Sequence, residues 1–269
     1  MRGSNIGKAN KIEIPQLSKY KYLSRQQRVI QSLAVVFLRT IEKFYPLLSP
    51  HGDPTFYDPA IFEWTREFET NWSTIRKELE QVLKYKENLP AFQDISEDDA
   101  YLTKDKNWKT FWIYNFGGIP VESNVKKCPE TSRLLGQVPG LVSALFSILE
   151  PHKHIEPHRG PFKGITRCLL ALKIPEPQEN VRIRVGDDIR TWKEGKFLVF
   201  DDTYDHEVWN DTDGVRVVLF MDVARPLYFP FNLINQLILK SFGISPKVRK
   251  MMENQRKWDL DNFAKDSTL

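Results

Sequence analysis

The spacing of apolar residues changes along the chain, and the changes divide it into four regions. Residues 1–23 show little periodicity and read as a flexible arm. From residue 25 to about 45, apolar residues recur on one helical face, with Ser24 placed as N-cap and Pro46 and Pro50 as stops. A second helical stretch covers residues 59–85 and is predicted to break and restart at Asn71-Trp72-Ser73. Residues 108–117 read as a strand ending in a Gly-Gly turn, after which Pro129-Glu130-Thr131 opens a short helix and Pro139-Gly140 closes it.

Beyond residue 141 the pattern becomes short strands separated by turns. Strands are predicted over residues 145–149, 154–158, 166–174, 181–185, 189–192, 196–200, 207–209 and 215–223. The turns fall at Gly186-Asp187-Asp188, Lys193-Glu194-Gly195 and 211–214. Short strands at this spacing indicate an antiparallel sandwich or barrel. The tail returns to helix over 229–242, stops at Gly243 and resumes over 246–258. The regions are therefore an arm (1–23), a helical part (24–100), a strand-rich domain (101–227) and C-terminal helices (228–269).

Composition narrows the class. With 41% hydrophobic and 28% charged residues, the chain of 269 residues has the makeup of a soluble globular protein. Cys128 and Cys168 form no C-x-x-C pair, which argues against a disulfide framework and for a reducing compartment. The net charge of +4 is mild, yet residues 1–40 hold eight Lys or Arg against the single acid Glu13. The first 28 residues lack the apolar core of a secretory signal. The longest uncharged stretches, 134–149 and 226–239, fall short of the roughly 20 residues that span a bilayer. The expected location is cytoplasmic, with peripheral contact to an anionic inner-membrane surface as a second option. That option rests on the apolar run 229–239 followed by Lys247, Arg249, Lys250, Arg256 and Lys257, the makeup of an interfacial anchor. The alternative is a helix pair packed on the core with a solvated basic face. No nucleic-acid partner is expected.

The candidate chemistry lies between residues 152 and 216. Four of the five histidines are His152, His154, His158 and His206. Strand alternation puts His152, His154, Glu156 and His158 on one face, with Pro157 as the place where that regularity can fail. Three metal sites compete: a three-histidine site from His152, His154 and His158; a facial triad of His154, Glu156 and His206; and a reduced pair of His158 and His206. Surface or hydrogen-bonded structural histidines are the bland alternative. Asp201, Asp202, Asp205 and Glu207 surround His206 and are candidates to orient its imidazole, Asp205 reading more simply as a solvated turn residue. Arg216 stands alone in the apolar run 215–221, so its guanidinium is expected to be buried and to need an anion. A bound carboxylate and an internal aspartate are equal contenders.

Several segments in combination resemble the aspartyl/asparaginyl β-hydroxylase family. They are Asp105-Lys106-Asn107-Trp108-Lys109, Cys128-Pro129-Glu130-Thr131, Pro139-Gly140-Leu141, Phe146-Ser147, His154-Ile155-Glu156-Pro157-His158, Thr191-Trp192-Lys193-Glu194-Gly195-Lys196, Phe200-Asp201-Asp202 and His206-Glu207-Val208-Trp209. The resemblance covers roughly residues 100–227. It implies an α+β protein with a double-stranded β-helix (jelly-roll, cupin-like) core between N-terminal and C-terminal helices. It also implies an iron(II)- and 2-oxoglutarate-dependent dioxygenase that uses O2, releases succinate and CO2, and hydroxylates an unactivated carbon.

By the same resemblance His158 and His206 hold the iron, Arg216 clamps the distal carboxylate of 2-oxoglutarate, and Ser147 and Arg167 make further contacts to it. Gly160 is the departure that matters. The bacterial lipid A acyl-chain hydroxylases of the family carry an aspartate there, whereas the animal peptide hydroxylases carry glycine and use two histidines. Glu156 is then not a ligand. Leu169 stands where the animal enzymes have a histidine. Arg159-Gly160-Pro161-Phe162, Gly164 and the segment 220–227 lean towards the lipid hydroxylases. The implied substrate is a lipid acyl chain, or an aspartyl or asparaginyl residue in a peptide or small molecule. A β-sandwich binding module that has lost iron is the alternative of a different class.

Overall fold

The computed structural model describes residues 24–263, which fall into two units divided after Phe44. The arm expected over residues 1–23 lies outside the described residues. In the first unit, α1 (Arg25–Glu42) begins directly after Ser24 and ends before the expected proline stops. It leaves Val29, Ile30, Leu33 and Phe37 exposed, and an Arg39–Glu42 ion pair of 3.2 Å braces its last turn.

The second unit is mixed α+β, with two antiparallel sheets and flanking helices. Eleven strands are present among the described residues: β1 (Phe56–Tyr57), β2 (Trp108–Asn115), β3 (Ile119–Pro120), β4 (Leu141–Leu149), β5 (Lys153–His158), β6 (Ile165–Lys173), β7 (Val181–Val185), β8 (Asp188–Thr191), β9 (Phe197–Phe200), β10 (His206–Asn210) and β11 (Arg216–Ala224). Seven form one sheet in the order β1-β9-β6-β11-β4-β2-β3, and four form the other in the order β5-β10-β7-β8. The expected strands are all found within a few residues of their predicted limits. Phe56–Tyr57 is the larger surprise. It lies between the two predicted helical stretches, within the region 24–100 expected to be helical, and pairs with Phe200 and Val199 at the sheet edge. Two residues carry no period, so nothing local marks them as a strand.

Alternation along the long strands assigns two faces to the larger sheet. One face, with Phe111, Phe146, Ile148, Leu170, Leu219 and Met221, packs against the helices. Those helices are α3 (Thr65–Thr70), α4 (Trp72–Leu83) and α7 (Pro129–Leu135), which contribute Phe68, then Ile75, Leu79 and Val82, then Leu134 and Leu135. The buried positions of α4 recur at four and three residues, the spacing of a single helical stripe. The predicted break at Asn71 is observed, since this residue ends α3 and precedes α4. The other face, with Trp108, Leu149, Leu169, Ala171 and Val218, shares a buried cluster with Ile155, Val181, Ile183, Val185 and Val208 of the smaller sheet. That intersheet space is where the candidate residues converge.

The short helices α2 (Tyr45–Leu48), α5 (Phe92–Ile95) and α6 (Glu122–Lys127) connect these parts. The chain ends in α8 (Phe231–Gly243) and α9 (Pro246–Phe263). Pro246 opens α9 as the first-turn residue that loses no helical hydrogen bond. None of the described helices is long and apolar enough to cross a membrane.

Candidate active site

The histidines separate because β5 carries a bulge. Against β10, His158 stands opposite His206, while Ile155 stands opposite Val208. Glu156 and Pro157 on β5 therefore stand against the single residue Glu207 on β10. The extra residue, in the Glu156-Pro157 segment, reverses the alternation. His158 joins the inward face that Ile155 occupies, and His154 points outward. The expectation that His154, Glu156 and His158 share a face is corrected on this ground. His154 stacks on Trp209 with ring centroids 5.2 Å apart and its Nε2 lies 2.9 Å from Glu207 Oε2. His152 sits in the turn before β5 at φ 58°, its Nε2 3.0 Å from Asp213. Neither the three-histidine site nor the His154-Glu156-His206 triad is assembled. Among the described residues no group of three or more His, Cys, Asp and Glu side chains is gathered as for a metal.

His158 and His206 are brought together, with ring centroids 4.1 Å apart. Each Nδ1 lies against a carbonyl two residues back: His158 on Glu156 O at 2.8 Å, and His206 on Tyr204 O at 2.9 Å. A carbonyl only accepts, so each Nδ1 carries the proton and each Nε2 keeps its lone pair. Burial pushes the His158 imidazole down to about 4 and His206 well below the usual histidine range. Two neutral imidazoles with fixed tautomers form a donor set suited to a divalent transition metal. Backbone carbonyls, not the neighbouring acids, set those tautomers. Glu207 pairs instead with His154 and Arg184, and Asp205 with Arg184 at the surface.

The inward face of the larger sheet can be followed in rows of register partners. Arg216, Leu149 and Trp108 form one row; Val218, Ser147, Thr110 and Ala171 form the next. Phe220, Leu145, Trp112, Leu169 and Leu198 follow, and the last row holds Asp222, Ser143, Arg167 and Phe200. The histidine pair lies at the Arg167 end, where the Phe200 and His206 rings meet at 5.4 Å. Arg216 and Ser147 stand in the two adjacent rows at the other end, three and two rows from Arg167 along the strands.

Arg216 is 2% exposed, and among the described residues no carboxylate pairs with it. Its Nε has no hydrogen-bond partner, and its Cζ lies 4.2 Å from the centroid of Trp192. Burial alone pushes this guanidinium down to about 9. Of the two contenders raised by the sequence, the internal aspartate is not found among the described residues. Ser147 accepts a hydrogen bond from Trp108 Nε1 at 3.0 Å, which leaves its hydroxyl proton to donate. Thr110 Oγ1 and Trp192 Nε1, also buried, lack partners. Buried polar atoms are normally satisfied, and an anionic, hydrogen-bonding ligand would satisfy the ones at this end of the space.

Arg167 is paired twice. Its Nε donates to Asp222 Oδ1 at 3.0 Å, its Nη2 lies 2.8 Å from Asp202 Oδ2, and its Cζ sits 4.4 Å from the Phe220 ring centroid. Burial works against its charge, but Asp202 and Asp222 outweigh burial and hold its pKa up. The sequence reading missed Asp222, the single acid in strand β11, and did not single out Trp192 as a site residue.

Gly160 has a steric reason. Its N–H donates to Asp202 O at 2.6 Å, and a Cβ at this position would overlap the Asp202 carboxylate. Gly160→Asp is therefore expected to cost about 1–3 kcal/mol of stability through overpacking and like charge, and to bring no gain in metal affinity. Thermal unfolding and metal titration check this. If bulk is the cause, pairing it with Asp202→Gly recovers most of the loss. Glu156 is exposed, 3.8 Å from His154 Nδ1. Glu156→Ala is accordingly expected to leave metal uptake within about twofold of the parent; its loss in a metal-binding titration would restore Glu156 as a ligand.

Residues 69–226 match the protein family described as Aspartyl/Asparaginyl beta-hydroxylase. An ornithine lipid ester-linked acyl 2-hydroxylase of Rhizobium tropici is 43% identical over 213 residues, covering 79% of this chain and 75% of that protein. The human aspartyl/asparaginyl beta-hydroxylase is 32% identical over 173 residues; the match covers 62% of this chain but only 22% of that longer protein. Among solved structures, a Pseudomonas putida prolyl-4-hydroxylase aligns over 57% of this chain and 87% of its own, with a TM-score of 0.37 and 15% identity.

Proposed function

Because the chain belongs to the aspartyl/asparaginyl β-hydroxylase family, we propose that it is an iron(II)- and 2-oxoglutarate-dependent hydroxylase acting on a lipid acyl chain, with a double-stranded β-helix core over residues 101–227. The observation that carries this reading is the buried, carboxylate-free guanidinium of Arg216, on the face towards which the paired histidines point. His158 and His206 would hold the metal through Nε2. Arg216 and the Ser147 hydroxyl would receive the distal carboxylate of 2-oxoglutarate, while Arg167, already paired with Asp202 and Asp222, would stand as a cation at the histidine end. When bound, iron and 2-oxoglutarate would supply the oxidative chemistry: O2 consumed, 2-oxoglutarate converted to succinate and CO2, and one oxygen atom delivered to an unactivated C–H bond. Leu169, Val218 and Phe220 line the space between and keep water from it.

The lipid substrate rests on similarity to the Rhizobium hydroxylase across most of both chains. Gly160 favours a second substrate, the β-carbon of an aspartyl or asparaginyl residue. Turnover assays with iron(II), 2-oxoglutarate and either an acyl lipid or an Asp-containing peptide separate them. Succinate release matched one-to-one by a lipid product heavier by one oxygen is the expected result. Coupled turnover with the peptide alone would replace the lipid reading. No iron uptake and no 2-oxoglutarate consumption would leave only a binding module.

A further inference from the structure

The outer face of α8 has no use in the chemistry above. Helix α8 is apolar on both sides. Its inner side, with Asn235 and Leu239, is buried, whereas Leu233, Ile234 and Leu237 are exposed, Leu237 at 68%. Phe229 (78% exposed) and Tyr228 precede the helix, and Ile244 (69%) follows it. Leu47 at the end of α2 joins the same patch, because the Tyr228 N–H donates to Leu48 O at 2.9 Å. A helix of a globular protein ordinarily shows polar residues on its outer side; a contiguous apolar patch of this kind marks an interaction surface.

Charge indicates what covers it. No acidic residue occurs between Asp222 and Glu253, whereas Lys240 and Arg249 are exposed within that span. Leu233, Leu237, Lys240 and Ile244 succeed one another at steps of four, three and four residues, so the basic residue sits on the apolar stripe itself. The lysines expected to form the basic stretch are partly engaged elsewhere: Lys247 pairs with Asp99 at 2.7 Å and Lys250 approaches Glu97 at 3.8 Å. Arg256 and Lys257, further along α9, are exposed as well, and Lys240 is the cation that lies on the apolar stripe itself.

The inner side of α8 is fixed to the segment that follows His158. Asn235 Nδ2 donates to Gly164 O at 2.8 Å, Asn235 Oδ1 accepts from the Tyr45 hydroxyl at 3.1 Å, and Phe242 meets Phe162 edge-on at 5.8 Å. A Cβ on Gly164 would overlap Asn235, so the close approach needs glycine.

We propose that the α8 face, from Leu47 and Phe229 through Leu237 to Ile244, docks this protein on the surface of an anionic lipid bilayer, with its apolar residues among the acyl chains and Lys240 and Arg249 at the phosphates. A peripheral helix of this kind lies in the interface plane and gains from both burial and charge. Seated there, α8 brings the segment 160–164, and with it the His158 end of the site, to the membrane from which an acyl chain is drawn. Docking goes beyond the hydroxylase reading and needs neither iron nor turnover, so each can fail alone.

The test is cosedimentation of the full chain with vesicles of phosphatidylcholine, or of phosphatidylcholine mixed with phosphatidylglycerol. Binding to the mixed vesicles is expected, falling as salt is raised. Leu233→Glu with Leu237→Glu should lower the affinity about 100-fold, and Lys240→Glu with Arg249→Glu about 10-fold. Thermal unfolding of both variants should match the parent, since the changed side chains are exposed. Undiminished vesicle binding by the leucine variant would overturn the proposal. So would a parent that ignores vesicles and forms a dimer dispersed by the same substitutions, because a second copy would then be the occupant.

Discussion

Arg216→Ala is expected to raise the 2-oxoglutarate concentration for half-maximal turnover by roughly 100-fold, since a desolvated carboxylate that loses its guanidinium forfeits about 3 kcal/mol. The same residue is a burden to the fold on its own. Among the described residues its guanidinium is buried without a carboxylate and carries an unpartnered Nε, with its Cζ over the face of Trp192. Arg216→Met, which keeps much of the volume, should therefore unfold at the same temperature as the ligand-free parent or a higher one. Added 2-oxoglutarate should raise the unfolding temperature of the parent and leave that of the variant unchanged. Melting curves with and without the dicarboxylate measure both halves. A variant still protected by 2-oxoglutarate would remove Arg216 from the site.

His206→Ala is expected to abolish iron uptake and to lower iron-dependent turnover by about three orders of magnitude or more. In the proposed site His158 and His206 are the protein donors, so loss of one would leave a single neutral ligand, and hydrogen bonds that orient a ligand, worth about 10- to 100-fold, cannot replace it. The neighbours do not offer a substitute. His154 is turned outward against Trp209, and Glu207 is engaged by His154 and Arg184. Metal content and succinate release, read beside the circular dichroism of the folded variant, give the result. Retained turnover would mean that the pair is structural.

Much of this could be read along the chain. Residues 181–185 are bounded by turns and show alternating burial, and the strand is found at those limits. Arg216 announced its burial by standing alone among apolar neighbours. Its missing partner could not be read, because that depends on which acids the other strands bring across the sheets. Asp201 and Asp202 illustrate the difficulty: adjacent in sequence and both fully buried, they turn to different cations, Arg225 and Arg167. The overlap between Asp202 and any side chain at residue 160 joins positions 42 residues apart (202 minus 160), and no local pattern records it. The choice of His158 over His154 came from family resemblance. Alternation counted from His154 gave the wrong face, because a bulge is one unpaired residue and leaves no period of its own.

The Glu156-Pro157 bulge also separates two properties of a ligand that a regular strand would tie together. Removing its extra residue would place the histidine two positions after Ile155, still on the inward side and still opposite His206. Facing would survive; the bend and added twist that a bulge gives its strand would not. A shortened β5 would thus keep every chemical group of the metal pair while changing the direction in which one imidazole points. In this strand chain length sets an angle, and a loss of one residue that looks conservative on paper would misdirect the donor without removing it.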